Sequence, residues 1–415
     1  MARTTLVLGA GMVGTSVAYH LARRGRAVTL VDRQPPGRET SFGNAGIIQR
    51  EAVQPHPFPR DVGTLARVLP NRRIDIRYRP RGMLAAAGPL FQYWRHSAPL
   101  RYADIVPEYA SLIMRSTDEH QVMVDAADAE ALIRREGWLE GFRSQRVFDE
   151  QQAVARDNET RFGVTFETLD RSALQAMEPY LGDAVIGAIH WTNAWTVVDP
   201  GGLVQAYAQA FEAEGGQCER ADVEHLEPTT TGWRLTTSSG TLEAEELVLA
   251  AGPWSMRWLR ELGYHLPMFP KRGYHMHYAP AGDARLNHWF MDFETGYLLA
   301  PMRAGVRLTT GAELTTLEGR AQHGQLDAAE KAARKLFPLG ERRDPEPWSG
   351  NRPCMPDMKP VIGPAPRHSG LWFAFGHGHQ GFTLGPVTGR LLGEMMTGEP
   401  TCIDPTPFRA ERFSR

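Results

Sequence analysis

The chain has 415 residues, 42% hydrophobic and 23% charged, a globular enzyme's composition at a length that asks for two domains, intertwined or serial, rather than one core. Its formal net charge of -2 gives no electrostatic footing for nucleic acid. Cys218, Cys354 and Cys402 are too few and scattered for a disulfide framework or zinc motif, and no stretch suits a signal peptide or membrane span, so a soluble or peripheral protein of a reducing, cytoplasmic compartment is expected.

Residues 4–9 read as a buried parallel strand, residues 12–24 as a helix with Val13, Val17 and Leu21 on one face, and residues 27–32 as a second strand. Between the first strand and the helix runs Gly9-Ala10-Gly11-Met12-Val13-Gly14, a G-x-G-x-x-G turn. The first glycine allows the tight turn, the second lets backbone approach a pyrophosphate, and the third lets helix and strand pack closely. The helix N-terminus then faces the phosphate charge. Asp32, followed by Arg33, ends the second strand at about the 20-residue distance of a ribose acceptor. The competing reading is a glycine-rich turn that holds no ligand.

The next segment, residues 34–100, is rich in Pro, Arg and Gly and lacks a long period, which predicts cofactor-covering loops plus some of a second domain. Within it, residues 40–47 (Thr-Ser-Phe-Gly-Asn-Ala-Gly-Ile) supply small residues and an amide. Residues 67–81 interleave six arginines with apolar side chains, a pattern for anionic lipid or for a solvated face. Residues 102–136 are helical in pattern. Asp199-Pro200 opens a helix with Leu203, Ala206, Tyr207, Ala210 and Phe211 as its apolar stripe, and Gly215-Gly216 closes it.

Short strands are predicted near 221–226, 233–237 and 241–251, the last ending in Ala251-Gly252 with Trp254 beyond. Residues 271–312 alternate as antiparallel strands, and residues 371–376 form one more buried strand. A turn from Gly376 to Gly381 then leads to a last helix over 383–397. The predicted fold class is therefore α/β: a Rossmann-type dinucleotide domain interleaved with an α+β substrate domain carrying an antiparallel sheet. The expected division gives residues 1–50, 196–265 and 350–415 to the first and residues 51–195 and 266–349 to the second.

The cradle does not choose between NAD and FAD. Three features favour FAD: the Ser41–Ile47 loop, the strand running into Ala251-Gly252, and the Gly376–Gly381 turn, whose N–H groups and helix end suit an anionic ring edge. Each alone could be an ordinary tight turn. The expected cofactor contacts are Gly9, Gly11, Met12, Val13, Gly14, Asp32 and Arg33; Ser41, Asn44, Ala45, Gly46 and Ile47; Val223, Ala251, Gly252 and Trp254; and Gly376, His377, Gly378, Gly381, Phe382 and Thr383.

With Pro270-Lys271-Arg272-Gly273-Tyr274, Gly296-Tyr297, Arg352-Pro353, Pro356-Asp357, Pro360-Val361-Ile362-Gly363 and the ending Arg412 to Arg415, these pieces resemble, end to end, the D-amino-acid oxidase-like flavoenzymes. The resemblance is strongest to the small-subunit type of bacterial D-amino-acid dehydrogenase, with glycine and sarcosine oxidases more distant. The chain departs from the family at Asp32, where Glu is usual, at Met355, where the subgroup often has Thr, and at His379-Gln380, where smaller residues are usual.

The resemblance implies FAD and oxidation of an amino acid by hydride transfer to flavin, with electrons passed to a quinone or electron-transfer chain. It also implies contact with the inner face of the cell membrane. It assigns the substrate carboxylate to Arg352, whose guanidinium can bind it bidentately, and to Tyr297, with Tyr274 as a further candidate. His377 and His379 flank the flavin turn, as ring contacts or as structural histidines. Cys354 does not match a covalent flavin position, so the flavin is expected to be non-covalent. His275 and His277 share one strand face without a third ligand, and no metal is expected. The alternatives are a D-proline or D-hydroxyproline dehydrogenase, a sarcosine or glycine oxidase, a nicotinamide-dependent reductase, and a flavin-carrying subunit of a larger complex; no oligomeric state is implied.

Overall fold

The computed structural model describes residues 2–413, so Met1 and the Ser414-Arg415 part of the family-like ending lie outside the described residues. A six-stranded sheet organises one layer, in the spatial order Gln217–Arg220, Ala27–Asp32, Thr4–Leu8, Glu246–Leu249, Leu371–Phe375, Val361–Pro364. Its first five strands are parallel and the last is antiparallel. The central strands read as unbroken apolar runs because both faces are covered. Helix Met12–Ala22 lies on one face beside helix Gly381–Thr397. They approach so closely that a Cβ on Gly385 would stand 2.5 Å from Met12 Cγ, and one on Gly389 2.5 Å from the Ser16 carbonyl. Helix Pro200–Ala213 starts as its sequence indicates, with Asp199 Oδ1 accepting from the Gly202 N–H at 2.9 Å.

A larger, mostly antiparallel sheet forms the second unit. Its long strand Phe269–Pro280 pairs with Gly305–Thr310, Ala312–Leu314, Leu339–Arg342 and Trp348–Cys354, and the sheet continues through Tyr297–Met302, Phe290–Asp292 and Trp138–Phe142 to Gly187–Trp191 and Phe166–Asp170. Two joins are parallel, Phe290–Asp292 with Trp138–Phe142 and Ala312–Leu314 with Ile76–Tyr78. One face meets the nucleotide layer; the other packs against helix Gly324–Ala333. The expected domain division at residue 350 falls inside Trp348–Cys354, which pairs with the long strand through Cys354.

Three local expectations need correcting. Residues 62–96 are not only loops: helices Val62–Val68, Pro80–Ala85 and Ala87–His96 form there. The first of these buries nothing, so it offers no apolar stripe to read. The helical pattern over 102–136 becomes two helices, Pro99–Ile113 and Ser116–Ala126, followed by the short strand Ile133–Arg134. The strand expected over 241–251 is two, in different sheets: Gly240–Ala244 joins Trp233–Thr237 and Val223–Pro228, whereas Glu246–Leu249 joins the nucleotide sheet. Among the described residues no helix is long and apolar enough to cross a membrane.

Candidate active site and cofactor cleft

A cavity of about 720 Å³ follows the carboxyl ends of the parallel strands and passes under the large sheet, where open α/β sheets place their ligands. At its nucleotide end, Gly9 has φ +114° and a Cβ there would meet the Ala250 carbonyl at 2.5 Å. Gly14 does not line the cavity; a Cβ on it would stand 1.8 Å from the Gly9 carbonyl, the helix-to-strand contact that the third glycine of the motif permits. Gly11 precedes a helix with no acidic residue in its first turn. Ser41 Oγ accepts from the Met12 N–H at 3.0 Å, pinning the second loop to the cradle.

Asp32 Oδ2 accepts from the Ala10 N–H at 2.7 Å and Oδ1 from the Gln34 N–H at 2.9 Å, while burial pushes its carboxyl above the usual range. The carboxylate thus shapes the turn as well as lining the cavity. Val223, Ala251 and Gly252 line the same end, and the Arg33 guanidinium stacks 4.5 Å over Trp254.

Buried Arg307 holds the Ser41–Gly46 loop from above, donating to the Asn44 carbonyl at 2.5 Å and the Phe42 carbonyl at 3.2 Å. Asn44 Oδ1 in turn accepts from the Gly46 N–H at 2.8 Å. Ala45, Asn44 and Ile47 line the cavity; Gly46, at φ +72° against the Val197 carbonyl, and Thr383, whose hydroxyl reaches the Ile47 carbonyl at 3.3 Å, stand behind it. Gly376, His377, Gly378, Gly381 and Phe382 line the opposite wall. The Gly378 N–H donates to the Pro353 carbonyl at 2.7 Å, tying this turn to the Arg352 strand. His377 Nε2 lies 2.9 Å from Thr388 Oγ1, and burial pulls the imidazole down to about 3, so it is a neutral contact. Thr309 lines the cavity with a buried hydroxyl that has no protein partner.

These features fit FAD. The cradle and its unopposed helix end suit the pyrophosphate, Asp32 the ribose, the Gly376–Gly381 turn with Thr309 the ring system, and the cavity is continuous between them.

Beyond the turn, strands Phe269–Pro280 and Trp348–Cys354 bring Lys271 opposite Arg352. Arg352 Nη1 donates to the Gly311 carbonyl at 3.0 Å, and among the described residues it has no carboxylate partner; burial pulls its guanidinium below the usual value. Lys271 Nζ lies 4.7 Å over Tyr93 and 5.5 Å over Phe269, again with no acidic partner among the described residues. By contrast the other arginines of the cavity are paired, Arg33 with Glu39 at 2.7 Å and Arg257 with Glu261 at 3.2 Å. The His379 ring lies 4.9 Å from that of His56, tilted by 30°, at this end; burial first, then His56, Arg352 and Lys271, hold its imidazole neutral.

The two tyrosines do not join this group. Side chains alternate across a strand, so Lys271 and Gly273 face the cavity while Arg272 and Tyr274 face away. Tyr274 Oη donates to Glu313 at 2.5 Å, and both Tyr274 and Tyr297 belong to the core beneath helix Gly324–Ala333. Tyr297 pairs in register with Asp292, whose carboxylate holds Arg143 at 2.6 Å on that far side. The two residues border the cavity, but their rings leave on the other face, and Leu298 presents its side chain instead. The rings of Tyr297 and Tyr274 thus turn from Arg352 toward that core although both residues border the cavity; one step along a strand changes the face.

The reading of the residues also missed Lys271, His56 and Tyr93. The period that puts His275 and His277 on one face puts Lys271 there too, so the signal for the lysine was present; His56 and Tyr93 come from the segment that lacked a period. His275 stacks on Trp348 at 4.8 Å, and both ring nitrogens of His277 are engaged, by Asp344 at 2.8 Å and Arg307 at 2.9 Å.

A family model described as DAO: FAD dependent oxidoreductase matches residues 4–395. The chain is similar to the D-amino acid dehydrogenase of Cereibacter sphaeroides (strain ATCC 17029 / ATH 2.4.9), 33% identical over 98% of this chain and 95% of that protein. It is also similar to the D-amino acid dehydrogenase of Agrobacterium fabrum (strain C58 / ATCC 33970), 30% identical over 98% and 99%. Among solved structures it resembles glycine oxidase from Geobacillus kaustophilus with a TM-score of 0.75, 22% identity and 98% of each chain covered, a likeness of fold.

Proposed function

From the premise that this chain belongs to the DAO family of FAD dependent oxidoreductases, we propose that it oxidises D-amino acids to 2-oxo acids and ammonia. The observation that carries the reading is Arg352, a guanidinium inside the cavity with no acidic partner among the described residues. The relatives named D-amino acid dehydrogenase supply the substrate class and its handedness. FAD, when bound, supplies a two-electron acceptor for the α-hydride.

Arg352 grips the substrate carboxylate and so fixes which way the α-carbon points. The charge of Arg352, with the neutral His56 and His379, disfavours a protonated amine in this end of the cavity. The amine's lone pair is then free to push electrons as the hydride leaves. The resulting imine hydrolyses in water. No acidic side chain is needed as a base, because positioning supplies the advantage.

The proposed acceptor is a quinone reached from the cytoplasmic membrane face. Val62, Leu69, Leu84, Phe91, Trp94 and Leu100 are all exposed, and the exposed Arg67, Arg72, Arg81 and Arg95 lie among them. Tyr93, on the helix that carries Phe91 and Trp94, lines the cavity. A basic, apolar surface of this kind suits anionic lipid.

Stopped-flow flavin reduction tests the chemistry. D-Alanine or D-proline should bleach the flavin anaerobically, a soluble quinone should reoxidise it fast and oxygen slowly. Fast peroxide formation with glycine or sarcosine, and no bleaching by D-amino acids, would overturn the reading in favour of an oxidase. Co-sedimentation tests the surface: binding to phosphatidylglycerol vesicles that high salt abolishes is expected, and equal recovery without vesicles would remove the membrane from the proposal.

A further inference from the structure

Strand pairing sets Lys271 directly across from Arg352, which brings the two Cα atoms to within about 5 Å. Both side chains point into the cavity, yet their charged ends diverge. Arg352 turns to the Gly311 carbonyl, and Lys271 turns to the rings of Tyr93 and Phe269. One substrate carboxylate satisfies one of them. The second cation stays in a wall built from Tyr93, Phe269, His56 and His379.

Among the described residues no carboxylate pairs with that second cation. The acidic residues that line the cavity are Asp32, Glu39, Asp75 and Asp222. Asp32 is engaged by two backbone N–H groups, Glu39 by Arg33 and Asp75 by Arg73 at 2.8 Å. Asp222 lies beside Ala221 and Val223, at the nucleotide end. Partly buried lysines are costly unless something compensates the charge. Aromatic faces compensate in part, and an anionic ligand group completes the compensation.

We infer that Lys271 forms a second anion subsite beside Arg352, and that the substrate class is an amino acid bearing a second negative group, such as an acidic side chain. The inference deepens the amino-acid reading and rests on it for the reaction, though the subsite itself can be tested without turnover. Neutral His56 and His379 then serve as uncharged hydrogen-bond partners of that second group, and Lys271 selects substrate rather than performing chemistry.

The test uses the FAD-loaded full chain, with flavin content confirming that each variant is folded. Anaerobic flavin reduction by D-glutamate and D-aspartate is compared with D-alanine and D-leucine. The wild type should favour the acidic pair by about tenfold or more in kcat/KM, expressed in KM. K271M should erase most of that ratio, K271R should keep it to within about threefold, and K271E should turn the preference toward D-lysine. Succinate and propionate titrated against the flavin spectrum give the same comparison without turnover: succinate should bind more tightly, and K271M should collapse the difference. A wild type indifferent to the second carboxylate, or an equal loss for acidic and neutral substrates in K271M, overturns the subsite and leaves both cations on one carboxylate. Succinate discrimination that survives in a chain whose flavin no D-amino acid reduces upholds the subsite and overturns the reaction instead.

Discussion

Arg352 and Tyr297 both border the cavity from the large sheet and are expected to behave oppositely. Removing a desolvated guanidinium from its carboxylate costs about 2–5 kcal/mol, or roughly 30- to 5000-fold in kcat/KM, so R352A should lose turnover while keeping yellow FAD. Near wild-type efficiency would make Arg352 structural. Y297F and Y274F should each hold kcat/KM to within about threefold, since truncation on the far face removes no transition-state contact. Y274F should instead lower stability by about 1–2 kcal/mol, because the Oη that donates to Glu313 and accepts from the Gln322 N–H is gone. A large loss of turnover in Y297F would restore the tyrosine to the carboxylate. At this scale the sequence identifies residue types well and faces poorly. The place of Arg352 in the cavity is legible because its Arg-Pro motif marks it, and its grip on a carboxylate is the proposal that R352A tests. The orientation of Tyr297 is not legible because its face depends on register with Asp292 and Thr310, which no local spacing records.

Elements governed by local chemistry are the ones the sequence reveals. The Gly9–Gly14 turn and the Asp199 cap depend on residues a few positions apart. The turn at Glu245, between two strands of different sheets, depends on partners far away, and the helix Val62–Val68 has no buried face to betray it. The meeting of Glu51, just after strand Ile47–Ile48, with Glu140 of Trp138–Phe142 is likewise a product of tertiary packing. Trp138 Nε1 donates to Glu51 at 3.0 Å and Trp191 Nε1 to Glu140 at 3.3 Å. Burial pushes each carboxyl up to about 7, from an ordinary 4.5, and Glu51 adds to the rise at Glu140. Between those values the folded protein holds protons that the unfolded chain has released, so stability falls as pH rises through this window. E140Q, which keeps an acceptor for Trp191, should therefore be more stable than wild type at pH 8 by about 1–3 kcal/mol and nearly equal at pH 5. Urea unfolding at the two values measures this, and an identical difference at both would remove the carboxyl pair as its origin.

The molecule as a whole closes its cofactor cleft with residues from both units, Ser41 and Gly376 from one side, Thr309 and Trp348 from the other. FAD should raise the unfolding temperature, because a ligand at about 100 times its Kd adds roughly 2.7 kcal/mol. Acid precipitation should release the flavin, since burial pushes the Cys354 thiol up and keeps it from acting as a nucleophile; colour retained in the pellet would mean a covalent bond. The strand order carries a further consequence, for synthesis on the ribosome. Thr4–Leu8 acquires Ala27–Asp32 at once, but Glu246–Leu249 emerges more than 200 residues later and Leu371–Phe375 later still. At roughly 5–20 residues per second the nascent cradle waits about 20–70 s for that last parallel strand. Throughout that interval the sheet keeps an unpaired edge and the Met12–Ala22 helix keeps a bare face, both aggregation hazards. Gly385 and Gly389, which cover that face, follow Leu371–Phe375 and emerge later still. Flavin capture therefore waits for the Gly376–Gly381 turn, and a premature stop before residue 380 yields a chain with its glycine motif intact and without the wall that completes the cavity.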